Sequence, residues 1–151
     1  MNIEIERKFL VINNLWKENE IRSFSIKQGY FLTSDKTAIR VRISDNGSYI
    51  TIKLPTSENN ECPEFEYDIP LEDAKKLIDY CQPHIVEKTR HIVEYCGMIW
   101  EIDEFENRLH GFTVAEIELL HQDQDFIMPP WVGREVTGDI RFTNKYMAFN
   151  Y

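Results

Sequence analysis

Polar and apolar residues alternate along most of this chain with the two-residue period of half-buried β-strands. Alternating runs at residues 2–11, 24–33, 37–44, 48–54, 63–69, 85–95, 98–105 and 112–120 predict strands, separated by turn signals such as Asp45-Asn46-Gly47 and Cys96-Gly97. The period changes after Pro70. Ala74, Leu77, Ile78 and Cys81 recur at helical spacing, which predicts a helix over Leu71 to Cys81, and Thr143 to Phe149 is a second helical segment. The expected body is antiparallel and mainly β, with a minor helical part.

Strand parity then sorts the side chains into two faces. One face carries Glu4/Glu6/Lys8, Arg40/Arg42, Thr51/Lys53, Glu64/Glu66, Lys88/Arg90, Asp103 and Glu116/Glu118. The other carries Ile3/Ile5/Phe9, Ile39/Val41/Ile43, Ile50/Ile52/Leu54, Phe65/Tyr67/Ile69, Ile102 and Ala115/Ile117/Leu119. A solvated face is the commonest cause of such alternation. Here, however, the charges come as same-sign doublets on single strands, which repel unless something binds between them, and nearly every position is ionisable. Glu94 and Glu101 share parity with members of the ionic set, so its edge is not sharp.

A sheet of about eight such strands can close into a barrel with a polar lumen and an apolar outer face covered by helices. The ionic set holds seven acids and six bases, so it carries 6 − 7 = −1 of the formal net charge of −9 and leaves −8 elsewhere. Divalent cations would make that lumen net positive, which suits a compact, highly charged anion arriving with metal ions. Successive same-face side chains lie roughly 6.5 to 7 Å apart, so Glu4 and Glu6 can converge on one small hard cation.

Composition removes other classes. At 151 residues and 42% hydrophobic content, the chain suits one domain over 1–151, with no linker or repeat dividing it. No signal-like or bilayer-length apolar run occurs, so a soluble cytoplasmic protein with no membrane partner is expected. The acidic balance opposes nucleic-acid binding. Cys62, Cys81 and Cys96 form no Cys-x-x-Cys pair and read as free thiols. Asn46-Gly47-Ser48 spells a glycosylation sequon but reads as a hairpin turn. His84, His91, His110 and His121 lack metal-ligand spacing, and no P-loop, dinucleotide or nucleophile-elbow motif is present.

Glu4-x-Glu6-x-Lys8, Gln28-Gly29-Tyr30, Arg40-x-Arg42, Thr51-x-Lys53, Glu64-x-Glu66, Lys88-x-Arg90, Asp103 and Glu116-x-Glu118, in that order, resemble the CYTH family of triphosphate tunnel metalloenzymes. The likeness extends through Gly133-Arg134-Glu135-Val136-Thr137 and Asp139-Ile140-Arg141-Phe142-x-Asn144, as in its short bacterial members. It implies an eight-stranded antiparallel tunnel barrel, dependent on Mg²⁺ or Mn²⁺, that acts on triphosphates. Inorganic, thiamine and RNA triphosphatases and class IV adenylate cyclases belong to this family.

On that resemblance Glu4, Glu6, Glu116 and Glu118 are the expected metal ligands, holding two ions when substrate is bound, since hard cations prefer carboxylate oxygen. Lys8, Arg40, Arg42, Lys53, Lys88 and Arg90 are expected to cradle the polyphosphate. Glu64, Glu66 and Asp103 are auxiliary acids, either supporting the metal through water or pairing with lumen arginines. Water activated at the metal is the first-ranked route, and a Tyr30 base assisted by Lys88 the second. Tyr30 shares parity with Phe24 and Ile26, so its place in the lumen rests on the family pattern or a bulge. The expected reaction is hydrolysis of inorganic triphosphate to pyrophosphate and phosphate by a monomer or homodimer. Alternatives are a nucleoside or thiamine triphosphatase, an adenylate cyclase, and a non-catalytic polyphosphate-binding barrel.

Overall fold

Hairpin turns and edge pairing shape the barrel in the computed structural model, which describes residues 1–34, 36–59 and 61–151. The strands are β1 (Asn2–Val11), β2 (Glu20–Tyr30), β3 (Ala38–Ser44), β4 (Gly47–Lys53), β5 (Glu61–Asp68), β6 (Ile85–Tyr95), β7 (Met98–Phe105), β8 (Thr113–Glu118) and β9 (Val132–Glu135). Helix α1 (Leu71–Cys81) follows β5, and α2 (Asn144–Asn150) follows β9. The β6–β7 turn is made by Cys96 (φ 49°) and Gly97 (φ 78°), the two positive-φ positions of a type I′ hairpin, whose twist matches that of its strands.

All pairings are antiparallel, and β1 closes the ring. Its residues Asn2–Ile5 pair with β5, while Glu6–Leu10 pair with β8 along the opposite edge. Around the barrel the order is β1-β5-β4-β3-β2-β6-β7-β8, which places β1 across the lumen from β2. The expected eight-stranded closed barrel is therefore present. Strand β9 is an addition that continues the edge β5 leaves, pairing Glu135 with Phe9 and Val132 with Val11. Its four residues show no alternation, and Gly133 permits the close approach: a Cβ there would lie 2.5 Å from Ile12 Cγ2.

The outer face is buried in patches. Helix α1 lays Ala74 and Ile78 on Val41, flanked by Ile43 and Ile50. Elsewhere tryptophans take the place of the expected helices. Phe9, Val93, Trp100, Ile102, Ala115 and Ile117 are covered by Trp16, from the 3-10 turn Leu15–Asn19, and by Trp131, which meets Trp100 edge-on at 5.2 Å. The His91 ring packs at a tilt against Trp16, with centroids 4.6 Å apart, and its ring nitrogens face Glu20 and Glu104.

Helix α2 lies outside the barrel wall and across one of its ends. Val86, Phe105 and Val114 have the strand parity of Lys88, Asp103 and Glu116, and they pack with Tyr30 against Met147 and Ala148 of α2. Thr143 caps the helix by accepting from the Tyr146 amide. Arg108 donates to the carbonyls of Met147 and Ala148, satisfying groups the last turn leaves open, and also to that of Ile85. No helix among the described residues is long and apolar enough to cross a membrane.

Gly29 lets α1 seat on β2 beside Gln28 and Tyr30, since a Cβ there would stand 2.6 Å from Cys81 Cβ. Gly29→Ala should therefore destabilise the protein by about 1–3 kcal/mol through overpacking. The readout is a lower urea midpoint at unchanged slope; an unaltered midpoint would refute tight seating of the helix.

Candidate active site

Cross-strand register brings the ionic doublets together. Antiparallel partners share a face, so the pairs Glu6–Glu118, Lys8–Glu116, Glu101–Glu116, Arg90–Asp103, Lys53–Glu64 and Thr51–Glu66 all project inward. They surround a cavity of about 740 Å³, lined by every site residue read from the sequence except Asp103. Tyr30 is also on this face, because it pairs with Arg40, and no bulge is needed to put it there. Phe24 and Ile26, which obscured its parity, pair with Arg90 and Lys88 and so have inward parity themselves.

Asp103 lies behind the lining with 1% exposure. It accepts from Lys88 Nζ at 2.7 Å and from Arg90 Nε and Nη2 at 2.8 and 2.9 Å, and Arg90 also donates to Glu101 at 3.0 Å. Burial alone would raise the Asp103 pKa, but the charges and hydrogen bonds of Arg90 and Lys88 hold it far below the usual carboxylate range. Burial, together with the charges of Arg90 and Arg42, lowers Lys88 to about 7 despite Asp103.

The lumen is electrically polarised. Glu4, Glu6, Glu64, Glu116 and Glu118 stand on the adjoining strands β5, β1 and β8, while Arg40, Arg42, Lys88 and Arg90 stand on β3 and β6, which flank β2 across the lumen. On the acidic side, burial and then Glu116 and Glu4 push Glu6 well above its ordinary value, and burial and Glu64 raise Glu4. Glu116 is also pushed up by burial, but Lys8, 3.1 Å away, together with Arg90 and Lys88 outweighs this and brings it to about 2. Lys53 reaches Glu4 at 3.3 Å and Glu64 at 3.7 Å.

On the basic side, Arg42 has no carboxylate within ion-pair distance among the described residues. Its Nε donates to Gln28 Oε1 at 2.9 Å, and burial followed by Arg40 and Arg90 lowers its pKa to about 9. Arg40 Nε is buried without a hydrogen-bond partner, and its nearby carboxylate, Glu66, is 3.8 Å away at the half-exposed rim.

Among the described residues, no three acidic, His or Cys side chains are already gathered into a finished cation site. The donor set nevertheless fits a hard divalent cation. It offers carboxylate oxygens, Glu6 is pushed up by burial and then by Glu116 and Glu4, and Glu64 Oε2 is buried without a hydrogen bond.

Sequence reasoning left Gln28, Glu101 and Asn144 without roles. Glu101 carried a signal in its parity with Asp103. Gln28 is paired with Arg42 across β2–β3, while Asn144 enters from α2 and belongs to no alternating pattern. Tyr30 and Lys88 are not bonded directly. Gln28 Nε2 contacts Tyr30 Oη and Asn144 Oδ1, and Lys88 Nζ donates to the same Asn144 oxygen.

With this lumen established, residues 2–144 match the CYTH domain model. The chain belongs to the CYTH family. An inorganic triphosphatase of Acetivibrio thermocellus is 36% identical over 99% of this chain and 96% of its own length. One of Nitrosomonas europaea is 34% identical, with 97% of each chain covered. The crystal structure of an inorganic triphosphatase superposes with a TM-score of 0.74 at 34% identity, covering 100% of this chain and 97% of the other. The triphosphate tunnel metalloenzymes of the CYTH family are metal-dependent.

The buried Asp103 pairs give a pH test. Asp103 titrates near 3.8 when unfolded and far lower when folded, so its contribution is complete above that value and is lost as pH falls below it. Asp103→Asn should cost roughly 3 to 5 kcal/mol at pH 7 and flatten the acid limb of stability. Denaturant unfolding at pH 3 and pH 7 checks this; an acid limb as steep as in the parent would remove Asp103 as its source.

Proposed function

We propose that this chain hydrolyses inorganic triphosphate in a metal-dependent reaction, releasing pyrophosphate and phosphate. The observation that carries this reading is the polarised lumen, in which crowded carboxylates face Arg42, a cation with no carboxylate within ion-pair distance among the described residues. A short polyanion and its divalent cations would neutralise both walls together. The curated relatives are named for the same substrate.

Glu4, Glu6, Glu116 and Glu118 would hold Mg²⁺ or Mn²⁺, two ions with substrate present. Bound there, a divalent cation supplies Lewis acidity and neutralises phosphoryl charge. Arg40 and Arg42 bind phosphate oxygens through guanidinium donors, and Lys8, Lys53, Lys88 and Arg90 add positive charge along the chain of phosphates. Asp103 fixes Lys88 and Arg90 in advance, so their field needs no reorganisation as charge shifts to the leaving group. Water oxygen attacks the terminal phosphorus, the bridging P–O bond breaks, and its electron pair leaves with pyrophosphate, while the water protons pass to solvent and the products. Helix α2 keeps bulk water from one end of this site. Three free thiols suit a cytoplasmic protein.

Chelation with EDTA should abolish release of phosphate and pyrophosphate, and Glu4→Gln should lower turnover by at least roughly 10- to 100-fold with the fold retained. Full turnover in excess EDTA would end the metal reading.

Arg42→Ala should raise KM for tripolyphosphate or slow turnover by roughly 10-fold or more. Arg22→Ala, which removes an exposed partner of Asp45 at 3.6 Å, should change neither. Steady-state assays decide, and equal effects at the two positions would displace the substrate from the lumen.

A further inference from the structure

The hydrogen bonds around Gln28 fix the direction in which two neutral groups point. Gln28 is fully buried and Tyr30 is 4% exposed. Arg42 Nε faces Gln28 Oε1 at 2.9 Å. A guanidinium has only donors, so the Gln28 atom facing it must be the oxygen, and the Gln28 amide nitrogen must face the other way. That nitrogen lies 2.9 Å from Tyr30 Oη and 3.2 Å from Asn144 Oδ1, and its two N–H groups are used by these two acceptors.

Asn144 is oriented by a second cation. Lys88 Nζ contacts Asp103 at 2.7 Å and Asn144 at 2.9 Å, donating to both. Gln28 Nε2, which has only donors, meets the same Asn144 atom, so that atom is the oxygen whether or not Lys88 carries its charge. The consequences reach the cavity. Tyr30 Oη accepts from Gln28, which leaves its own proton to be given elsewhere, and the Asn144 amide nitrogen has two protons to give. Among the described residues neither group has an acceptor for them, and both residues line the lumen.

We propose that the Tyr30 hydroxyl and the Asn144 side-chain amide are neutral hydrogen-bond donors to triphosphate oxygens, held in donor orientation by Gln28, Arg42 and Lys88. This assignment rests on the triphosphate reading and extends it. Ionised phosphate oxygens only accept, so two outward donors between Arg42 and Lys88 complement them without adding to the repulsion among buried cations. Tyr30 in this role binds substrate and does not act as a base, and Gln28 is a positioning residue.

The test measures kcat and KM for tripolyphosphate in Tyr30→Phe, Asn144→Asp, Asn144→Ala and Arg42→Ala, with thermal unfolding of each. Tyr30→Phe should raise KM about 10-fold, as loss of a hydrogen bond to a charged group does, with kcat within about threefold across the pH range. Asn144→Asp keeps the oxygen that receives Lys88 and loses the donors. It should unfold like the parent yet bind tripolyphosphate at least about 10-fold more weakly, so it should not rescue Asn144→Ala. If Asn144→Ala does not fold, Asn144→Asp against the parent carries the same comparison.

Asn144→Asp with parental KM would show that only its oxygen matters and overturn the donor role of Asn144. Collapse of kcat in Tyr30→Phe at unchanged KM would overturn the binding role of Tyr30 and make it catalytic. Unchanged KM in both variants, with Arg42→Ala impaired, would overturn the proposal and leave the triphosphate reading intact. Unchanged KM in Arg42→Ala as well would bring down both.

Discussion

Asp103 is the charge around which the inside of this barrel is arranged. A carboxylate with 1% exposure is tolerable only if it is ionically paired and hydrogen-bonded, and Lys88 and Arg90, both on β6, supply this. Two cations on one anion leave an excess positive charge. Glu101, 37% exposed, offsets part of it from the rim, while Arg42 and Arg40 increase it from β3. The basic wall is thus held in place by a buried anion too weak to neutralise it. Affinity for an external polyanion follows directly from that imbalance.

The acidic wall is the counterpart. Glu6 and Glu116 crowd each other, and Lys8 and Lys53 reach in to separate the carboxylates. Lysine suits this place because its compact charge on a flexible stem would be free to turn to a phosphate if a divalent cation took its place among the carboxylates. Arginine suits the opposite wall, where bonds to Asp103 and Gln28 fix guanidinium planes before any ligand arrives. The two kinds of base are distributed by mechanical role as well as by charge.

What could be read from the sequence was whatever the two-residue period controls. Parity assigned Glu4, Arg42, Lys88 and Glu116 to one face because neighbouring strands must share a pleat; the number of such strands allowed a closed barrel, and the family resemblance specified it. Features set by contacts between distant segments left no periodic trace. Strand β9 exists because Gly133 fits against Ile12, and Trp16 and Trp131 cover the outer wall from irregular segments. The parity of Tyr30 was obscured because Phe24 and Ile26 also have inward parity, so the inner face is not ionic throughout. Asn144 was out of reach: only the docking of α2 across the barrel end brings it to Lys88.

That docking makes one short helix serve two physical functions. Met147 and Ala148 seal the lumen end against Val86, Phe105 and Val114, and this apolar contact provides the driving force for seating. Arg108 fixes the far end of the helix through its carbonyls, and Asn144 at the near end meets Lys88 and Gln28. Seven residues are too few for a stable helix in isolation, so the orientation of Asn144 is only as firm as the packing of Met147 and Ala148. The polar order of the site, from Arg42 through Gln28 and Asn144 to Lys88 and Asp103, thereby depends on an apolar seal that contributes no polar group to it.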